Sequence, residues 1–311
     1  MSPAARASRL LPLFAVALIG GCGVFGHKQP PPPTTAPVLT PVKLRIGLAL
    51  GGGAAKGFAH IGVIKMLEAS GIHPDVVSGT SAGSVVGALY ASGMDAFQLQ
   101  EQAFSLDESK VRDVRLFSGG LVQGQKLQDY VNQLVDNRPM EKLKLPFAAV
   151  STDLETGQRV VFVRGNTGQA VRASSSIPGV FEPAVINGKR YVDGGVSSPV
   201  PVDAARQLGA DIVIAVDIST KAADNKPDGM LGTIGQSINI MGEKLGAQEL
   251  ARADVVIRPK VGSIGATAFE QKDKAILEGE RAALAAIPAI RAKIAEREAL
   301  QHAAMPATVK H

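Results

Sequence analysis

Gly79-Thr80-Ser81-Ala82-Gly83 sets a serine between two glycines, with an apolar run before it and a small-residue helical stretch after it. A serine works as a nucleophile when it protrudes from a sharp strand-to-helix turn. Glycines at either side remove the Cβ atoms that would clash there, and the helix behind it supplies unpaired N–H groups. Gly51-Gly52-Gly53-Ala54-Ala55-Lys56-Gly57 is a second glycine-rich strand-to-helix turn. Three successive glycines can aim backbone N–H groups at a developing oxyanion. Such turns also cradle nucleotide phosphates. Here, however, the sixth position from Gly51 is Lys56 rather than the glycine of a dinucleotide turn, and the G-K-[ST] ending of a P-loop is missing. Asp193-Gly194-Gly195 completes the set. An isolated Asp-Gly is commonly just a turn, but Ser81 needs a base.

Histidine is scarce where a triad would need it. The five are His27, His60, His73, His302 and His311. An α/β-hydrolase runs Ser, then acid, then His, and after Asp193 only the two C-terminal histidines remain. His60 falls on the helix after the glycine cluster and reads as a packed helix residue. A Ser–Asp dyad is the economical alternative to a triad.

The elements that must position these groups are legible in outline. Arg45–Leu50 reads as a buried strand, followed by a helix through Ile61, Ile64 and Leu67 that ends at Gly71. Val76 and Val77 mark a second short strand, which runs into a turn and a small-residue helix over Ala82–Ala91. Met94–Glu141 reads as helices and loops. Strands are expected at Phe147–Thr152, Arg159–Val163, Ile212–Asp217 and Asp254–Arg258. Helices are expected over Val202–Leu208 and over Lys272–Glu298, the latter broken near Pro288. Strands alternating with helices imply an α/β layered fold on a largely parallel sheet.

With these pieces in place, the chain resembles the patatin-like phospholipase family. The resemblance rests on GGGAAKGFAHIGVIKML from Gly51, DVVSGTSAGSVVGALYASG from Asp75, ASSSIPGVFEP from Ala173 and YVDGGVSSPVPVDAARQLGAD from Tyr191. It covers Leu44–Asp217 well and the segment beyond more loosely. Lys56 departs from the arginine that many members carry, keeping the charge but losing the planar fork. The resemblance implies a three-layer α/β/α fold with a mostly parallel central sheet. It also implies hydrolysis of lipid acyl esters without a metal or other cofactor, with Ser81 as nucleophile, Asp193 as base and the Gly51-Gly52-Gly53 backbone as oxyanion hole. Gly79, Gly83, Gly194 and Gly195 complete the motifs. The alternative is the same fold kept as a non-catalytic lipid-binding or scaffolding module. Ser174–Pro178 reads as a turn packed near the site. Phe97, Phe104, Val111, Val114, Leu116, Phe117 and Leu121 either line an acyl pocket, form a cap or serve ordinary helix packing.

The N-terminus reads as an address. Arg6 and Arg9 precede the apolar run Leu10–Ile19, which is too short to span a bilayer and suits a secretory signal. Ile19-Gly20-Gly21 then leads into Cys22, a lipobox-like order that predicts cleavage of residues 1–21 and a lipid on Cys22. Gln29–Pro41 holds six prolines and no charge, a semi-rigid tether over 22–42. The expected partners are therefore a membrane through the anchor and a membrane lipid or acyl-ester substrate. The expected location is the bacterial envelope, with Gly23 favouring an outer membrane where there is one. The folded domain is expected over 43–295 and a tail over 296–311.

Composition sets the limits. Of 311 residues 45% are hydrophobic and 20% charged, enough apolar content for a packed core. One cysteine excludes an internal disulfide framework and a multi-thiolate zinc site. The net charge of +5 carries no dense basic block that would argue for nucleic acid.

Overall fold

A computed structural model describes residues 43–106, 122–224 and 227–304. Cys22, the signal-like segment and the tether lie outside the described residues, as do Val111, Val114, Leu116, Phe117 and Leu121.

The strands are β1 (Ile46–Leu50), β2 (Val76–Thr80), β3 (Phe147–Asp153), β4 (Arg159–Phe162), β5 (Ala184–Ile186), β6 (Lys189–Asp193), β7 (Ile212–Val216) and β8 (Val255–Ile257). The helices are α1 (Ala59–Ala69), α2 (Ala82–Ala91), α3 (Ala96–Ser105), α4 (Gln125–Leu134), α5 (Thr167–Ser174), α6 (Val202–Gln207), α7 (Gly229–Leu250) and α8 (Lys272–Ala304). One sheet runs β5-β6-β3-β2-β1-β7-β8, with β4 added to β3. The β3-β2-β1-β7-β8 stretch is parallel, and β4, β5 and β6 are antiparallel additions.

Both faces are covered, which explains the near-continuous apolar strands. Alternate residues serve opposite sides. Leu48, Leu50, Val77, Phe147, Ile214 and Val216 join the larger core with α1, α2 and α8. Ala49, Val76, Val213 and Ala215 pack against Val202 and Ala205 of α6 and Leu250 of α7. This is the three-layer α/β/α arrangement expected from the sequence.

Two expectations change. The helix over Lys272–Glu298 does not break at Pro288. α8 continues through it to Ala304, nine residues past the expected end of the domain at 295. A buried stripe of Ala275, Ile276, Ala283, Ile287 and Ile290 carries it, while Pro288 faces solvent, where water can satisfy the backbone group it leaves unpaired. Arg297 in this extension donates to Asp254 Oδ1 at 3.1 Å. α7 was not legible at all, because Gly229, Gly232, Gly235, Gly242 and Gly246 depress helix propensity throughout it. Two of these glycines face the centre of the molecule. A Cβ at Gly246 would lie 3.5 Å from Pro199, and one at Gly242 would lie 3.9 Å from Gly195 O.

Candidate active site

Register brings the serine and the aspartate together. Thr80, the last residue of β2, pairs with Val150 of β3, and Asp193, the last residue of β6, pairs with Ser151. β4 occupies the other edge of β3 over the same residues. β2 and β6 therefore share one edge of β3 and meet with their C-terminal ends facing. Ser81 and Asp193, 112 positions apart in the sequence, are neighbours for that reason.

Ser81 sits in the sharp turn that the motif predicts, with φ 54° and ψ −124°, a strained conformation for a residue with a Cβ. Close packing imposes it. A Cβ on Gly79 would stand 2.3 Å from Gly83 O, and one on Gly83 would stand 2.2 Å from Leu50 O. Both glycines are needed for α2 to approach the ends of β1 and β2. Ser81 O caps α2 by accepting Ser84 Oγ at 2.7 Å, and Ser81 N donates to Ser174 Oγ at 3.0 Å. Ser174 in turn donates to Val150 O at 2.5 Å. The segment read as a turn near the site thus bonds the serine turn directly, through a residue to which the sequence assigned no role. Its neighbour Ser175 is buried, and its hydroxyl has no partner among the described residues.

Asp193 is 6% exposed. Its backbone is pinned by Thr152 Oγ1, which donates to Asp193 O at 3.0 Å, and by its own N–H, which donates to Ser176 O at 2.8 Å. Gly195 N donates to Oδ1 at 2.7 Å. A Cβ on Gly194 would lie 2.1 Å from Val150 O, so the D-G-G turn needs glycine to reach the sheet. Burial pushes the carboxyl pKa from 3.8 up to about 6, against the Ser81 hydroxyl and the Gly195 N–H, which both favour the anion. The Ser81 side chain is close enough to the carboxylate to favour its ionised form. Oδ2 is buried and has no partner among the described residues.

The glycine turn lies on the other side of Ser81, at the end of β1. A Cβ on Gly52 would be 3.3 Å from Ser81 Cβ. The amides do not converge as expected. Gly51 N donates to Val216 O and Gly52 N to Pro199 O, each at 3.0 Å, so both are committed to neighbouring backbone. Gly53 N and Ala54 N make no hydrogen bond among the described residues. Ala54 holds φ 50°, a second strained non-glycine residue beside the serine. Lys56, the lysine in place of arginine, donates from Nζ to Thr220 Oγ1 at 2.7 Å.

His60 is fully buried and its Nε2 lies 2.8 Å from Gly51 O. A carbonyl only accepts, so Nε2 carries the proton and Nδ1, which has no partner among the described residues, does not. Burial lowers its pKa to about 4, outweighing the Gly51 bond. A neutral imidazole locked on the backbone fits the packed residue expected from the sequence and not a base for Ser81. Glu249 of α7 was missed. It is buried and accepts Ser198 Oγ at 2.5 Å and Val200 N at 2.8 Å.

An apolar pocket of about 260 Å³ opens at Ser81. Phe58 and Ile61 line it from the glycine turn and α1, Val86 and Leu89 from α2, Leu127 from α4, and Phe181 from the loop before β5. From α3 it takes Leu99 and Ala103, not the Phe97 and Phe104 considered in the sequence, which are 70% and 48% exposed on the helix's outer side. Among the described residues, no group of three or more His, Cys, Asp or Glu is placed to hold a metal ion.

Comparison with known proteins decides the family. The family described as Patatin-like phospholipase matches residues 48–206. The chain belongs to the patatin-like phospholipase family. An uncharacterised NTE-family protein of Mycobacterium tuberculosis is 36% identical over 201 residues, covering 63% of this chain and 55% of that protein. Mouse patatin-like phospholipase domain-containing protein 6 is 33% identical over 202 residues, covering 62% of this chain and 14% of that one. The chain thus spans about half the length of the mycobacterial relative. VipD from Legionella pneumophila shares the fold, with a TM-score of 0.55 at 14% identity over 78% of this chain and 66% of that one. In this patatin-like protein a buried carboxylate and an apolar pocket lie at the same strained serine.

Proposed function

We propose that this patatin-like protein hydrolyses carboxylic esters of lipids, with Ser81 as nucleophile and Asp193 as general base. The observation that carries the reading is the meeting of Ser81, Asp193 and the apolar pocket at the β2–β6 junction. Asp193 takes the Ser81 proton as Oγ attacks the ester carbonyl, while the acyl chain lies in the pocket. Gly53 N and Ala54 N, the two uncommitted amides of the glycine turn, receive the oxyanion. The leaving alcohol takes the proton from Asp193. Water, deprotonated by the same carboxylate, then frees the fatty acid and restores the serine. A base with a pKa near 6 suits this work, being largely ionised at neutral pH and a better proton acceptor than an ordinary carboxylate.

The test is fatty-acid release from phospholipid and monoacyl-ester substrates, compared between wild type and Ser81→Ala. The variant is expected to lose at least about a thousandfold in turnover, together with labelling by a fluorophosphonate probe. Equal turnover by the variant overturns the reading. A folded wild type that takes no label favours the non-catalytic module.

A further inference from the structure

The Gly51–Gly52 peptide is held from both ends. Its carbonyl accepts the His60 Nε2 proton at 2.8 Å, and its N–H donates to Pro199 O at 3.0 Å. Neither holder is loose. His60 is fully buried in α1. Pro199 lies between two residues that Glu249 binds at once, Ser198 through its hydroxyl at 2.5 Å and Val200 through its N–H at 2.8 Å. Thr80, the residue before Ser81, donates from Oγ1 to Ser198 O at 2.8 Å. The next two amides in the chain, Gly53 N and Ala54 N, are the uncommitted ones.

Both side chains are packed, but packing alone does not call for polar groups at these positions. A leucine at position 60 would fill the site without burying an Nδ1 that has no partner among the described residues, and a buried Glu249 must be desolvated. Three adjacent glycines have almost no intrinsic preference for the direction of each N–H. With neither end of the Gly51–Gly52 peptide held, ψ of Gly51 and φ of Gly52 are free to change independently, and any uncompensated change turns the following amides away from Ser81.

We propose that His60 and Glu249 are positioning residues that clamp the Gly51–Gly52 peptide, His60 directly and Glu249 through the Ser198–Val200 segment, and so hold Gly53 N and Ala54 N toward the oxyanion. This rests on the hydrolase reading above. Neither residue touches substrate. The clamp joins α1 and α7 across the sheet to one peptide, so the two arms act on a single conformational choice.

The experiment compares inhibition by octylboronic acid, which adds the serine oxygen and becomes a tetrahedral anion, with inhibition by 1-octanol, which only fills the pocket. His60→Leu and Glu249→Leu are each expected to weaken the boronate, and to lower kcat, by between about ten- and a hundredfold. KM and octanol inhibition should stay at wild-type values. His60→Gln, whose amide can still reach Gly51 O, should recover most of the loss, and His60→Asn, which falls short, should not. Because both arms hold one peptide, the double variant His60→Leu/Glu249→Leu should be little worse than the worse single one. Additive losses, or unchanged boronate affinity in a variant with a wild-type circular dichroism spectrum, overturn the clamp. If a leucine variant fails to fold, the contrast between His60→Gln and His60→Asn decides, and equal boronate affinity in those two overturns it. A folded wild type that neither turns over esters nor binds the boronate overturns the hydrolase reading and the clamp with it, whereas normal wild-type binding with indifferent variants overturns the clamp alone.

Discussion

Asp193 combines two requirements that oppose each other. Its carboxyl must be close to Ser81 and shielded from water, and that shielding raises its pKa from 3.8 to about 6. Ionising it therefore costs the folded state. The cost is absent below about pH 4, where the carboxyl is protonated folded or unfolded, grows between about pH 4 and 6, and is complete above that. Asp193→Asn, which stays neutral, is expected to be more stable than wild type at about pH 8 by up to about 3 kcal/mol. The gap should close as the pH falls, and denaturant titrations at several pH values check it. The same variant should be nearly inactive. In wild type kcat/KM should fall on the acid side with a midpoint of about 6. Ser81, Asp193 and their glycines could be read from short motifs because each motif is local. Ser174, His60 and Glu249 could not be assigned their contacts, since each acts on a backbone group whose position depends on folding. Even the committed amides Gly51 N and Gly52 N follow from partners, Val216 O and Pro199 O, that lie far along the chain.

At the scale of elements, alternating apolar runs and glycine-bounded helices were sufficient to place β1, α1, α2, β3, β4, α6, β7 and β8 to within a residue or two, and to mark where β2 starts. Periodicity is strong where both faces of a strand are buried. The elements that escaped were short or atypical. β5 has three residues, α5 follows an unremarkable loop, and α7 is rich in glycine. α8 was cut at Pro288 because the local penalty was visible and the buried stripe offsetting it was not. The close approach of α2 to β1 gives a direct test. Gly83→Ala would push a Cβ to 2.2 Å from Leu50 O, so either the backbone shifts or α2 is displaced. It is expected to destabilise the protein by about 1–3 kcal/mol and to lower kcat, measured by thermal unfolding and steady-state turnover. An unchanged melting temperature would contradict the packing described.

For the whole molecule, we propose that the activity and the N-terminal segment serve one purpose. Hydrolysis of membrane lipids suits a protein tethered at Cys22 by a proline-rich spacer, and we propose that anchor alongside the reaction. Metabolic labelling with a radioactive or alkynyl fatty acid should mark the full-length wild type and not Cys22→Ser, with the variant shifting from the membrane to the soluble fraction. Equal label on both would rule out Cys22 as the acceptor. The patatin-like family and the parallel α/β architecture could be inferred from the chain itself, because a serine turn, a glycine-rich turn and a buried strand each have a signature within a dozen residues. Only the tertiary structure decided that β2 and β6 end against each other on one edge of β3, which amides of the glycine turn stay uncommitted, and which face of α3 meets the pocket. Those outcomes depend on register and on hydrogen bonds between segments distant in sequence, and neither leaves a periodic trace in the order of residues.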